Sequence, residues 1–314
     1  GSDIPDPSLG STMLYTSGTT GRPKGVFRPP LEPAHAAQLQ QMLTAVFQFD
    51  PESGKDRALA TGPLYHTGPF ALCFTTPLTA GIGAAPVQRL ATEGARVLAS
   101  GWAPHDAQMP WGADRDVLAF DADGVAYEAA DLEDPAAPRR LVEGAVARFG
   151  RLDVVVANHA RSSAQSIDDV TAEELDRCFA VNARASLLLA QSLCAARAPG
   201  PGGRVILFTS GQHRGPMPGE LAYAVSKGAI HQMTASLADA LSDRGITVNC
   251  VNPGPVDTGW ASGARHAAIA RRFPSGRWGT PDDVAKLVAW LASDEAGWIT
   301  GNVIDSEGGF RRSS

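Results

Sequence analysis

The sequence contains no apolar run approaching the roughly 18 residues that a membrane-spanning helix needs. It has no basic excess either. Its 27 Lys and Arg against 33 Asp and Glu leave a formal net charge of -6, which argues against a nucleic-acid binder. Cysteines are few: Cys73, Cys178, Cys194 and Cys250 show no CxxC or zinc-type spacing, and the seven histidines form no HExxH pattern. Free thiols in a reducing cytoplasm are therefore expected, with no metal site. No internal repeat and no low-complexity tract is present. Gly1-Ser2 reads as a cloning remnant, and no secretory leader is expected.

What is present is an ordinary globular composition. Of 314 residues, 44% are hydrophobic and 19% charged, enough for one large domain or two modest ones. The character changes near residue 80. The part before it is rich in Gly, Pro and Thr, with one helical stretch at 33–49. After it, short apolar runs alternate with amphipathic patterns. Residues 152–158 and 204–210 read as buried strands, and 246–251 and 303–305 as weaker ones. Thr171-Ala172-Glu173-Glu174 predicts a capping box opening a long helix. Thr280 and Pro281 open another, and 141–149 form a third, stopped by Gly150. Strands alternating with helices predict an α/β fold: a doubly wound parallel sheet with ligands at the carboxyl ends of its strands.

Chemistry-bearing residues fall at those ends. The strand at 204–210 ends in Ser210, followed by Tyr223 and, four positions on, Lys227. A Tyr and a Lys at that spacing share one helix face. An ammonium beside a phenol is expected to lower its pKa from about 10. With a serine hydroxyl holding a substrate oxygen, the unit can give a proton to a carbonyl or take one from an alcohol. With four tyrosines and four lysines in the chain, chance gives about 0.05 such Tyr–Lys pairs.

From about residue 70 onward, over about 245 residues, the chain resembles the short-chain dehydrogenase/reductase family, especially its 3-oxoacyl-carrier-protein-reductase-like branch. Gly81-Ile82-Gly83 resembles the end of the glycine-rich dinucleotide turn, and Asp131-Leu132 the acidic pair that meets adenine. Asn158-His159-Ala160-Arg161 resembles the Asn-Asn-Ala-Gly element. Asn182, Ser210, Tyr223 and Lys227 match the catalytic tetrad. The run from Asn252-Pro253-Gly254 through Val256 and Thr258 resembles the loop that contacts the nicotinamide and phosphates, and Asp305-Ser306-Glu307-Gly308-Gly309-Phe310 the last strand.

The resemblance implies a Rossmann-type domain transferring a hydride between a nicotinamide cofactor and a ketone or secondary alcohol, with a 3-oxoacyl-like substrate among the candidates. Tyr223 becomes the acid/base, Lys227 its partner and a ribose ligand, Ser210 the group orienting the carbonyl, and Asn182 the holder of a relay water. Thr76, Gly81, Ile82, Gly83, Asp131, Leu132, Asn158, Ala160, Tyr223, Lys227, Pro253, Gly254, Val256 and Thr258 become cofactor ligands. His213, Arg214, Glu220 and the stretch 260–273 border the substrate. A homo-oligomer, dimer or tetramer, is implied, with neither nucleic acid nor membrane as partner.

Three departures stand out. The first glycine of the turn is Pro77, which fixes φ and offers no N–H. His159 and Arg161 replace an asparagine and a glycine. Ser100-Gly101-Trp102 closes the second strand without the acidic residue that would hold the ribose 2′-OH of NAD, which favours NADP with NAD as the alternative.

The N-terminal part differs. Tyr15-Thr16-Ser17-Gly18-Thr19-Thr20-Gly21-Arg22-Pro23-Lys24-Gly25-Val26 is a loop able to cradle phosphates. It resembles the phosphate loop of acyl-CoA synthetases and other adenylate-forming enzymes, and Pro63-Leu64-Tyr65-His66-Thr67-Gly68-Pro69-Phe70 a later motif of theirs. The partner motifs of such an enzyme do not follow. The chain thus reads as a chimera: a fragment over 1–68, then a reductase over 69–314 whose first strand is 73–76. The rival readings are an ATP-dependent acyl-adenylating ligase and a catalytically silent nucleotide-binding protein.

Overall fold

The protein is described here from a computed structural model, which covers residues 14–16, 24–26, 71–75, 81–107 and 124–312. Two units divide the chain, Gly1–Gly62 and Pro63–Ser314. In the first, strand β1 (Leu14–Thr16) pairs antiparallel with β2 (Lys24–Val26), Tyr15 opposite Gly25. These strands are the two ends of the phosphate-loop motif. Residues 17–23, the helix expected at 33–49 and the motif at 63–70 lie outside the described residues.

The second unit runs β3 (Ala71–Thr75), α1 (Ala84–Thr92), β4 (Arg96–Gly101), α2 (Ala103–Asp106), β5 (Val125–Ala129), α3 (Ala137–Phe149) and β6 (Val154–Ala157). It continues with α4 (Ala172–Cys178), a π-type turn (Phe179–Arg184), α5 (Ala185–Ala196), β7 (Gly203–Phe208) and α6 (Leu221–Ser242). It ends with β8 (Ile246–Asn252), α7 (Gly263–Ala270), α8 (Pro281–Ala292) and β9 (Val303–Asp305). The seven strands are all parallel, in the order β5-β4-β3-β6-β7-β8-β9. The chain steps outward from β3 to β5, then returns to β6 beside β3 and proceeds to β9. The switch point lies between β3 and β6, where doubly wound sheets bind nucleotides.

Parallel strands need crossover helices, and these cover both faces. Leu141, Leu189, Leu193 and Ile230 pack on one face, and Val87, Leu90, Val284 and Val288 on the other. Strand β6 is buried along its whole length, which is why it reads as an unbroken apolar run. Among the described residues, the helical stretch Ala172–Ala196 is not an unbroken apolar run, but by length and composition it is apolar enough to cross a membrane. Its Ala185, Leu189 and Leu193, however, are buried in the first of these clusters.

Strand-to-helix boundaries follow local chemistry. Gly150 adopts φ 80° and stops α3, which begins at Ala137 rather than at the expected 141. Thr280 and Asp283 form a full capping box with Pro281 in the first turn of α8. The box expected at Thr171 is only half made. Thr171 Oγ1 accepts from the Glu174 amide at 3.2 Å, but the Glu174 carboxylate turns away to Arg161. The long helix expected beyond it is interrupted by the π-type turn.

Candidate active site

The carboxyl end of β7 carries the centre of the site. Ser210 follows it in an extended conformation, φ -141° and ψ -174°, and its side chain acts to lower the pKa of Tyr223 on α6. Lys227, one turn further on, is 2% exposed. Its Nζ donates to the Phe208 carbonyl at 2.9 Å and stands 5.8 Å from the Tyr223 ring centroid. The end of β7 thus anchors both the serine and the lysine. Burial pushes Lys227 down to about 8. Burial pushes Tyr223 up to about 12, against the lowering effect of Ser210. The expected depression of the phenol by its lysine is not what this arrangement gives. Desolvation of the phenolate wins, and the ammonium is engaged by the strand-end carbonyl.

Asn182 lies in the π-type turn and is fully buried. Its Oδ1 accepts from the Arg161 amide at 2.7 Å, and its Nδ2 donates to the Arg161 carbonyl at 3.0 Å and to Ser226 Oγ at 2.8 Å. Ser226 in turn donates to the Tyr223 carbonyl at 2.8 Å. The amide is therefore committed to holding the loop after β6 against α6. The Asn182 backbone carbonyl accepts from Ser186 Oγ at 2.6 Å. Widened turns of this kind recur at functional sites.

With that geometry in place, the family is decided by comparison. A family model described as Enoyl-(Acyl carrier protein) reductase matches residues 78–311. The chain is 40% identical over 237 residues to the uncharacterized oxidoreductase YjdA of Bacillus subtilis, covering 74% of this chain and 92% of that protein. This chain is a short-chain dehydrogenase/reductase. A reductase, LugOII, whose structure is described as catalysing keto-reduction at C1 during lugdunomycin biosynthesis, is 35% identical, with TM-score 0.66 over 77% of this chain and 97% of that one. A blue fluorescent protein from a metagenomic library, solved with NADPH, is 32% identical, with TM-score 0.66 over 77% and 98%. A second family model, AMP-binding enzyme, matches residues 2–99. The resemblance read at each end of the sequence is thus real, and the enzyme is an NAD(P)-dependent oxidoreductase that reduces carbonyls.

The remaining reductase positions frame the switch point. Gly81, Ile82 and Gly83 lead into α1, with Gly83 at its N-cap, φ -67° and ψ -30°. Ile82 packs into the core cluster beneath. Thr76 and Pro77 lie outside the described residues. After β5, Asp131 Oδ1 accepts from the Glu133 amide at 2.9 Å, while the Leu132 side chain is buried in the core. After β6, Asn158 and His159 are buried and Ala160 is half-buried. His159 donates from Nε2 to the Val181 carbonyl at 2.9 Å, and burial holds it neutral, down to about 3. After β8, Gly254 has φ 62° and lies so close to Glu307 that a Cβ would fall 2.9 Å from its side chain. Val256 is buried and bridges Gly279, Pro253 and Thr258 are half-buried.

The position at the opening of α1 fits a dinucleotide: no side chain caps its first amides, and the helix is the first after β3, beside the switch point.

The departures have structural content. Arg161 makes a bidentate pair with Glu174, at 3.0 and 2.9 Å, and reaches Glu133 at 3.6 Å. It fastens the loop after β6 to α4. Ser100 is buried and Trp102 stands exposed, so no acid closes β4. His213 and Arg214, expected at the substrate border, pair with Asp305 at 3.0 and 3.5 Å. Glu220 precedes α6, where burial raises its pKa. Sequence reasoning missed Ser226 and the Phe208 carbonyl. Only the position of Ser226 between Tyr223 and Lys227 offered a signal. It also missed His105, whose Nε2 accepts from the Ser162 amide at 3.4 Å. Among the described residues no cluster of His, Cys, Asp or Glu is arranged to hold a metal. Burial pushes the free thiols Cys178 and Cys250 up to about 12.

Proposed function

We propose that the enzyme reduces a ketone to a secondary alcohol with NADPH, on a 3-oxoacyl-like substrate. The observation that carries this is the tetrad at the end of β7. Ser210 closes the strand, Tyr223 and Lys227 face it from α6, and buried Lys227 donates to the Phe208 carbonyl at the same strand end. When bound, the nicotinamide supplies the hydride. Ser210 orients the carbonyl oxygen, and Tyr223 Oη passes it a proton as the carbonyl carbon is reduced. Lys227, which keeps donors beyond the one given to Phe208, binds the ribose, and Asn182 holds the relay water through which the proton is restored.

The cofactor ligands follow the same reading: Thr76, Gly81, Ile82 and Gly83 at the pyrophosphate, Asp131 and Leu132 at the adenine, Asn158 and Ala160 along the ribose. Pro253, Gly254, Val256 and Thr258 line the nicotinamide end. The lack of an acid after Ser100 supports NADP over NAD, and the NADPH complex of the metagenomic relative agrees. A fluorescence titration with NADPH, NADH and ATP tests the assignment. Tighter NADPH binding supports it, and binding of ATP alone would overturn it.

The boundary between the adenylating-enzyme fragment and the reductase falls at 68 and 69 in this reading, the chain is a chimera, and the fragment adds no step to reduction. Phe179 at the π-type turn, Leu187 on α5 and Val225 on α6 are exposed apolar side chains, which supports a homo-oligomer, dimer or tetramer. The acidic charge and buried free thiols support a cytoplasmic enzyme without nucleic-acid or membrane partners.

A further inference from the structure

The C-terminal segment reaches back onto the loop that carries Ser210. That loop contains three glycines, Gly211, Gly215 and Gly219, and the first two are covered by one side chain. A Cβ at Gly211 would fall 1.9 Å from Arg312 Nη2, and one at Gly215 2.8 Å from Arg312 Cδ. Arg312 therefore lies flat across the backbone at 211–215. Its guanidinium is held there by Glu307: Nη1 donates to Oε2 at 2.7 Å, and Nη2 donates to Oε1. Glu307 is 7% exposed, also accepts from Asn252 Nδ2 at 2.7 Å, and abuts Gly254 in the loop after β8. A second link runs in parallel. His213 places Nδ1 3.2 Å from the Ser210 carbonyl and Nε2 3.0 Å from Asp305, which also receives Asn252 Nδ2 at 2.8 Å. The backbone of Arg312 is itself fixed, since Arg272 donates to the Arg311 and Arg312 carbonyls.

We propose that Arg312 is a positioning residue for carbonyl reduction, holding the Ser210 loop in register with the Gly254 loop through Glu307. This rests on the reading of Ser210 as the group that orients the carbonyl. A bidentate guanidinium–carboxylate pair fixes angle as well as distance, which a single ammonium does not. Ser210 sits immediately before the glycine that Arg312 covers, so a shift of the strut is a shift of the serine. Small misplacements of an orienting group are costly to rate.

The test uses the full chain, NADPH as cofactor and ethyl acetoacetate as probe ketone. Arg312→Ala is expected to lower kcat by about tenfold, with NADPH affinity kept within about twofold, because Asn252 still holds Glu307 against the Gly254 loop and only the Ser210 loop is loosened. Amide hydrogen exchange at 211–215 is expected to quicken while the strands stay protected. Gly211→Ala, which drives the guanidinium out of its notch, is expected to give the same loss. The double variant is expected to lose no more than either alone, the mark of a shared contact. Arg312→Lys is expected to restore only part.

Unchanged exchange at 211–215 in Arg312→Ala would overturn the strut. A lowered melting temperature with kcat and KM untouched would overturn the positioning role. Ser210→Ala separates the two readings. If that variant kept full turnover while Arg312→Ala still quickened exchange, the strut would stand and the role of Ser210 would fall.

Discussion

Arg161 and Asn182 clasp each other. The Arg161 amide donates to Asn182 Oδ1 at 2.7 Å, and Asn182 Nδ2 donates back to the Arg161 carbonyl at 3.0 Å. The clasp ties the loop after β6 to the π-type turn, and through Ser226 to the helix that carries Tyr223 and Lys227. Replacing Asn182 by Ala leaves the Arg161 amide without its partner and removes one bond each from the Arg161 carbonyl and from Ser226, which keep Cys178 and the Tyr223 carbonyl. One unpaired group costs about 1–3 kcal/mol, and a loss of stability in that range is expected alongside loss of turnover. Denaturant unfolding of Asn182→Ala checks this, and a variant as stable as the parent would show the clasp to be dispensable.

Lys227 makes stability depend on pH in a definite direction. Burial lowers it to about 8 from 10.5, so between those values the unfolded chain holds more protons than the folded one. Stability contributed at this position therefore rises as pH increases from about 8 to about 10, and is lowest where the ammonium is fully charged. Tyr223, Cys178 and Cys250 act in the opposite sense at higher pH, since burial raises all three. The difference between the parent and Lys227→Met isolates the lysine. The variant's advantage at pH 7 is expected to shrink toward pH 10, and a constant difference would contradict the assignment.

His159 acts in the same sense as Lys227, at lower pH. It is held neutral down to about 3 against a usual 6.5, so below about 6.5 the unfolded chain takes up a proton that the folded chain refuses. Stability is lost as pH falls, by up to about 1.4 kcal/mol per pH unit. His159→Asn, which restores the residue the family carries, is expected to flatten the decline between pH 6.5 and 4 in thermal unfolding. An unchanged acid limb would mean that another group sets it.

Much of this site was legible because its residues fall at strand ends in a parallel sheet. Ser210, Tyr223 and Lys227 were found by spacing alone, and the strands at β6 and β7 by their unbroken apolar runs. Strand β5 was not read. Its residues are partly exposed or exposed at the edge of the sheet, so its sequence lacks the apolar run of its neighbours. The π-type turn was invisible because 179–184 carries an ordinary helical pattern. Its widening goes with side-chain bonds from Asn182 to a loop 21 residues earlier. The diversion of Glu174 to Arg161, 13 positions away, undid an expected capping box for the same reason. The lysine's true partner is a backbone carbonyl, which no side-chain motif records.

Pro77 lies outside the described residues, so its effect is argued from sequence. Proline fixes φ near −65° and removes an N–H where the chain turns toward the pyrophosphate. Strain of that kind is worth about 1–3 kcal/mol, or roughly 5- to 150-fold in affinity. Pro77→Gly is expected to tighten NADPH binding by part of that range without altering the tetrad. Equal or weaker binding by the glycine variant would show that the turn tolerates proline.

The central claim is that Tyr223 supplies the proton for carbonyl reduction. Steady-state NADPH oxidation with ethyl acetoacetate, compared between the parent enzyme and Tyr223→Phe, tests it most directly. The change removes one hydroxyl and little volume. General acid–base catalysis contributes about 10²–10⁴-fold, so turnover is expected to fall by at least about 100-fold with NADPH affinity and melting temperature nearly unchanged. A phenylalanine variant that turns over near the parental rate would contradict the account.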